Sequence, residues 1–408
     1  LREAHEGLAM LAPVRKNYKG YTERQVKKAN LARGLQAMVA HPTENKFKQM
    51  VSSNSLKHCP ITAQNVTNAR VIFGPNRPGL RGKTVRQKPE RVDPEFLTIP
   101  RDFYELHKFV TLTADVMFVN GYAFLITLSR NIRFFTIQHV PSRTAKQLSS
   151  SLTTVVKLYA RGGFIVRTIL MDMEFEKVTD EMGLVHVNTT AAREHVGEIE
   201  RGIRFVKERT RCVVATLPYT YLHKQIVIHL LYYVVMFLNA FCAPQGISQV
   251  FSPREIVTQR RIDLIKDCRA LFGEYVEAST DADKTNDISP RTHACISLGP
   301  SGNFQGSLKC FDLCTGQVVK RRTFKILPFP DRILKALNEM GRRAGTFKNK
   351  VEFRDRNKTL FDWDNEELAT DVSDDAALVH AENTTRIHPD VPAEIPGVTV
   401  ESDFETDD

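Results

Sequence analysis

Three acidic side chains, far apart in the chain, have the types and settings that metal-assisted phosphoryl chemistry needs. Asp115 falls inside the apolar, β-prone run KFVTLTADVMFVN at 108–120. Alternation puts Val110, Leu112, Ala114, Val116 and Phe118 on one face and Thr111, Thr113, Asp115, Met117 and Val119 on the other. An ionised carboxylate in mid-strand is costly unless it is hydrogen-bonded or neutralised, and a divalent metal neutralises it well. Asp172 closes a second apolar run, FIVRTILMD. Each has a plain structural reading when taken alone: a hydrogen-bonded core Asp, and a turn residue. A third carboxylate is expected on the following helix, from Glu194, Glu198 or Glu200. Glu200 fits best, because Arg204 and Lys207 follow at +4 and +7 and Arg211 continues that face, where a phosphate would lie. A solvated charged helix face is the plain alternative. Three carboxylates suit two Mg²⁺ (or Mn²⁺) ions, which activate a water or a hydroxyl and stabilise the leaving oxygen of an in-line displacement at phosphorus.

The elements that must position these groups are legible in outline. The runs at 108–120, 121–129 and 131–140 read as a three-strand antiparallel meander, with Asn120-Gly121 as the hairpin turn. A helix follows from Pro141-Ser142, carrying Leu148, Leu152, Val155, Val156 and Tyr159 at helical spacing, and Gly162-Gly163 ends it. Residues 164–172 and 184–189 read as a fourth and fifth strand, and helices are expected over 193–215, 219–243 and 253–266. The order β-β-β-α-β-α-β-α is that of a ribonuclease H-like α/β fold, a mixed five-stranded sheet flanked by helices. In that fold the first and fourth strands are neighbours, so Asp115 and Asp172 are expected to meet. Short strands over 270–328 suggest a small C-terminal β-barrel.

LTADVMFVN at Asp115, LMDMEFE at Asp172 and EHVGEIERGIRFVKER at Glu200 together resemble the integrase of copia-type LTR retrotransposons, a member of the DDE integrase and transposase superfamily. Gly197, Glu200 and Arg201 match an Asn-Gly-x-x-Glu-Arg stretch of that family. MFLNAFCAP (236–244), SPREIVTQR (252–260) and LFGEYV (271–276) resemble later landmarks, so the likeness spans roughly 40–330. It implies Mg-dependent 3′-end processing and strand transfer of element DNA into target DNA by Asp115, Asp172 and Glu200. It also implies work in the nucleus at the time of integration, residence in a cytoplasmic particle otherwise, and a homo-oligomer with Ile226–Ala243 as an expected interface. The alternatives are a DNA-binding protein derived from such an element without its chemistry, or another ribonuclease H-like nuclease. The sequence departs from the family at Met173-Glu174, which stand where Asn-Gly-Gly is usual, and in a short gap between Asp172 and Glu200. The family's zinc module is not intact: His41, His58 and Cys59 are present but the next cysteine is Cys212, so zinc is not expected. His293, Cys295, Cys310 and Cys314 read as barrel packing rather than a metal site.

Charge is unevenly placed. Residues 1–100 hold 18 Lys/Arg against 7 Asp/Glu, and residues 352–408 hold 4 against 17. A basic body suits a polyanion, so double-stranded DNA is the expected partner, with Arg201, Arg204, Lys207 and Arg211 on the helix and Arg81, Lys83, Arg86 and Lys88 on a basic segment as its contacts. The expected domains are a helical basic N-terminal region (1–73), an extended basic linker (74–106), the catalytic core (107–268), the barrel (269–330) and an acidic, mostly disordered tail (331–408). Seven widely spaced cysteines suit a reducing compartment. No apolar leader is read at the start, and a chain that begins with Leu reads as a piece of a longer one. Ile226–Ala243 approaches the length of a membrane span but contains His229 and Asn239, so it is expected to be a buried helix.

Overall fold

A computed structural model describes residues 13–84, 91–92, 94–172, 176–179, 182, 185–190, 197–243, 245–280, 288–345 and 351–354. The N-terminal helices are α1 (Glu23–Met38), α2 (Glu44–Ser52) and α3 (Ala63–Phe73), preceded by a 3₁₀ turn at Val14–Tyr18. Thr22 and Thr43 cap α1 and α2 by accepting from the backbone N–H groups of Gln25 and Lys46. The three helices bury a small core of their own that includes Ala29, Phe47, Val66 and Ile72.

The next segment corrects one expectation. Residues 77–83 are not an extended linker but a short helix, α4 (Arg77–Lys83). Its guanidinium groups explain the docking: Arg77 donates to Glu277, a carboxylate with no exposed surface, and Arg81 Nε lies 3.5 Å from the same group. A second short helix, α5 (Arg101–His107), leads into the main sheet.

The meander forms as the alternation predicts, in β1 (Phe109–Val119), β2 (Tyr122–Ser129) and β3 (Phe135–Val140). Asn120 and Gly121 both have positive φ, 49° and 79°, as a type I′ hairpin turn requires. Then come α6 (Ala145–Arg161), β4 (Ile165–Asp172), a single turn α7 (Glu176–Thr179), β5 (His186–Thr190) and α8 (Gly197–Thr216). The strand order is β3-β2-β1-β4-β5, antiparallel through the meander and parallel from β1 to β4 to β5. This five-strand mixed sheet flanked by helices is consistent with a ribonuclease H-like core. Val110, Leu112, Ala114, Val116 and Phe118 pack with α6 residues Leu148, Leu152, Val155 and Tyr159. Met117, Val119, Phe124 and Ile126 pack on the other side with Ile199, Ile203 and Val206 of α8.

The long apolar segment becomes α9 (Lys224–Leu238), and His223 caps it through Nδ1. The same hydrophobic cluster contains α9 residues, β1–β3 residues, Phe272, and Tyr275, Ile296 and Phe311 from a second sheet. Burial on several sides explains the membrane-like composition, and among the described residues no helix is long and apolar enough to cross a membrane. Asn239 just beyond α9 exchanges two 2.8 Å hydrogen bonds with the Phe135 backbone, satisfying its buried amide. The residues of α9 are buried or half-buried, while Phe241 just beyond it is 67% exposed.

The expected 253–266 helix is two pieces, α10 (Pro253–Thr258) and α11 (Leu264–Asp267), broken where Gln259 takes a left-handed conformation. The second sheet has β6 (Tyr275–Ser279), β7 (Thr292–Pro300), β8 (Leu308–Asp312), β9 (Val318–Arg321) and β10 (Phe324–Ile326), in the order β10-β6-β7-β8-β9. Only residues 322 and 323 join β9 at one edge to β10 at the other, so the edges lie within about 11 Å and the sheet must roll up. Among the described residues no ladder joins β9 to β10, so it is a rolled sheet rather than a closed barrel.

The tail expectation fails at 331–343 and at 353–354. Asp331–Arg343 form α12, and Phe353–Arg354 form β11, antiparallel to β1 at Phe118 and Val119. The Asn338 side chain accepts from the backbone N–H groups of Thr220 and Tyr221, and Ile333, Leu337 and Phe353 join the main core. Residues 355–408 lie outside the described residues.

Candidate active site

Asp115 sits half-buried in the middle of β1, and the neighbouring Val116 N–H donates to its Oδ1 at 2.6 Å. It stands opposite Ile126 of β2 on one side. On the other side β1 meets β4, and their ladder carries an irregularity. Val110 faces Val166 but Thr111 faces Thr168, so Arg167 is an extra residue in β4. The register then runs Leu112 to Ile169 and Thr113 to Leu170. Carried two residues further, it sets Asp115 opposite Asp172, the last residue of β4. Without the bulge, the same count would set Asp115 opposite Met171. Neighbouring strands lie about 4.8 Å apart, and bulges often re-aim side chains at sites. The Asp172 side chain lies outside the described residues.

Glu200 is exposed in the first turn of α8, at the helix end that favours acidic groups. That turn is anchored at the β2–β3 corner. Glu198 accepts from Arg130 Nε at 2.9 Å, and Gly202 packs so closely that a Cβ there would stand 2.6 Å from the Phe135 ring. Glycine inside a helix costs about 1 kcal/mol, and here it permits the contact with the sheet. Glu194 lies outside the described residues. Among the described residues no three His, Cys, Asp or Glu side chains group as a metal site would need.

The expected DNA-facing cations separate into distinct situations. Arg201, Arg204 and Arg211 are exposed along α8. Lys207 is not: it is 1% exposed, and its amine lies 5.4 Å from the centre of the Phe353 ring. The helical repeat explains the miss. The buried stripe of α8 runs through Ile203, Val206 and Thr210, and Lys207 lies on its border, where β11 covers it. Arg81 lies against Glu277, and the Lys83 amine donates to the His41 carbonyl. Arg86 and Lys88 lie outside the described residues. The His41 ring is 3.2 Å from the Asn76 amide, and the Cys59 thiol faces the Ile61 carbonyl. Cys295 and Cys310 are buried in the core of the second sheet, with their thiols pushed up by burial, while His293 Nδ1 is 3.0 Å from Asp312.

Sequence reasoning missed several buried carboxylates, among them Glu274 and Glu277. Glu277 is held by Arg77, the Tyr275 hydroxyl at 2.8 Å and the Thr292 hydroxyl at 2.9 Å. Glu274 accepts from the Leu271 N–H at 2.9 Å, while its Oε1 has no partner among the described residues. Burial pushes the Glu274 carboxyl up to about 7. Nothing in the local sequence marks Glu274.

No protein-family model matches the chain, and no curated protein is similar to it in sequence. Among solved structures, the crystal structure of the catalytic core domain of BIV integrase aligns with 36% of this chain and 93% of its own, at 18% identity and a TM-score of 0.28. Similarity at that level carries no inference about chemistry.

Proposed function

We propose that this chain is the integrase region of a copia-type retrotransposon, a polynucleotidyl transferase that trims and joins DNA ends. The observation that supports this reading is the β1–β4 register, whose last pair is Thr113 with Leu170 and which, carried two residues further past its bulge, would set Asp115 opposite Asp172. Two like charges at that spacing repel unless a cation lies between them, and hard carboxylate oxygens suit Mg²⁺ or Mn²⁺. In this proposal Asp115, Asp172 and Glu200 hold the metal. When bound, two such ions supply the activation of a water or a DNA 3′-hydroxyl and the stabilisation of the leaving oxygen. The chain's own part is positioning. The sheet holds Asp115 rigidly, and Arg201, Arg204 and Arg211 orient the phosphates of double-stranded DNA. Assembly as a homo-oligomer acting in the nucleus belongs to the same reading.

The test is joining of oligonucleotide ends in Mg²⁺ by the wild type and by Asp115→Asn. The variant is expected to lose joining while keeping its fold by circular dichroism. Joining by a folded Asp115→Asn protein refutes the assignment.

A second reading has its own observation. The first turn of α8 is tied to the β2–β3 corner through Glu198 and Gly202, which suits a helix that presents arginines to DNA without chemistry. Carboxylate-dependent Mn²⁺ binding, measured by calorimetry on the wild type and on Asp115→Asn, separates the two. Cleavage of an RNA–DNA hybrid in preference to duplex joining would instead mark a different nuclease on the same fold.

A further inference from the structure

An open cleft of about 360 Å³ lies beside the start of the main sheet, with Phe96, Leu97, Ile99, Arg101, Tyr104 and Gln259 in its wall. Separate pieces of chain build it. The Leu97 N–H donates to the Gln259 carbonyl at 2.9 Å, which fastens the segment before α5 to the left-handed residue that ends α10. Tyr104 of α5 packs on Phe164, with ring centres 5.2 Å apart, just ahead of β4.

The rim of the cleft is aromatic and cationic. Phe96 is 57% exposed, and its ring meets Phe304 nearly at right angles, with centres 5.6 Å apart. Phe304 belongs to the connection between β7 and β8. The Arg260 guanidinium lies 3.9 Å from the centre of the Phe304 ring and donates to the Gly302 carbonyl at 2.6 Å, so Phe304 is pinned. A single exposed aromatic side chain is ordinary. Here the exposed ring is held by a second ring and a guanidinium, at the mouth of a cavity. Arg101 is exposed in the wall, and among the described residues no carboxylate lines the cleft.

We infer that this cleft takes one unpaired nucleobase of a nucleic-acid strand. The base stacks on the Phe96 ring, with Leu97 and Ile99 as apolar walls. The Gln259 amide both donates and accepts, which suits the hydrogen-bonding edge of a base. Arg101 pairs with a phosphate of the same strand. The cavity is at the small end for ligand sites, which suits one nucleotide and excludes a bulkier ligand. Bases inside a duplex are already stacked and have no free face to offer. Asp115 lies six residues beyond Phe109 on β1, about 20 Å along the strand. The cleft therefore shares no group with Asp115, Asp172 and Glu200, and either site can fail while the other holds.

The experiment is fluorescence titration of the full chain with short strands carrying 2-aminopurine, in chelator so that no divalent ion takes part. Wild type, Phe96→Ala and Phe96→Tyr are compared on a single strand and on the same strand in a duplex. Phe96→Ala is expected to weaken single-strand binding about tenfold and to remove the quenching that stacking causes. Phe96→Tyr should keep both, because it presents the same ring. Duplex affinity should be equal in all three proteins, and an unchanged Tm shows that the variants are folded. Single-strand binding by Phe96→Ala equal to the wild type overturns the site. So does a parallel loss on the duplex, or a Phe96→Tyr protein that behaves like Phe96→Ala. DNA and RNA strands of one sequence are titrated side by side. Phe96-dependent quenching with either strand names the source of the base, and its absence with both overturns the site.

Discussion

The guanidinium of Arg167 lies over the ring of Phe109, 3.2 Å from its centre, and Arg167 is the extra residue that the β1–β4 ladder absorbs. The contact fastens the bulge beside the first ladder pair, Phe109 and Ile165. Deleting Arg167 should close the bulge while Thr111 still faces Thr168, so the later register should be kept, and loss of the fold would show that the bulge itself is needed. Arg167→Ala keeps the residue count. It should cost only about 1 kcal/mol, measured by urea unfolding, and preserve the register.

Glu277 has no exposed surface and is ringed by Arg77, Arg81, Tyr275 and Thr292. Removing one member of a buried charged network typically costs about 3–5 kcal/mol, because the remaining charges lose their partner. Glu277→Ala should lower the unfolding midpoint by that amount and free α4 from the second sheet, read as faster proteolysis near residues 77–84. A midpoint within error of the wild type would show that the arginines find equivalent partners.

Glu274 makes stability depend on pH in a defined direction. Its folded pKa, about 7, lies above the usual 4.5, so the folded state retains a proton that the unfolded state has released. Its contribution is complete below about pH 4.5 and is lost as pH rises to about 7, by roughly 3 kcal/mol if the shift is taken at face value. Glu274→Gln cannot titrate, so its stability should be flatter across that window. Parallel wild-type and variant curves between pH 4.5 and 7 contradict the assignment.

The burial of Lys207 gives a contrast with Arg204. Lys207→Met replaces a buried amine by an apolar chain of similar length, and should leave DNA affinity unchanged. Arg204→Ala should weaken binding to all sequences and reduce the salt slope by about one. A larger loss from the Lys207 variant would return that residue to the DNA face.

Much of the main sheet was legible because its signals are local. Asn120-Gly121 can hardly be anything but a tight turn, and the faces of β1 follow from strict alternation. The bulge was not legible. Beyond Thr168, β4 runs Ile169, Leu170, Met171 with apolar side chains on both faces, so the alternation there carries no phase to mark the inserted residue. Helical spacing did place Arg204 and Arg211 on the outer side of α8, but it could not show that a strand from residue 353 would cover Lys207. Residues 331–343 carried the period of a helix in Ile333, Leu337 and Gly341, and the acidic composition further on masked it. The break at Gln259 depends on a left-handed backbone with no glycine to announce it. For the candidate site, the sequence supplied Asp115 and Asp172 and the idea of their adjacency. The orientation of the first turn of α8 rests on Glu198, Arg130 and Gly202, which are long-range contacts.

Because α9 is lodged between two sheets, the chain cannot be divided at residue 268 without injury. Tyr233 packs on Phe272 at 5.3 Å, and Gly299 fits against the same ring. A shortened chain ending there would expose that flank of α9 to water and should self-associate rather than stay dispersed. Melting of the intact chain should accordingly be a single event for both sheets, so that damage to the second one is felt at Asp115.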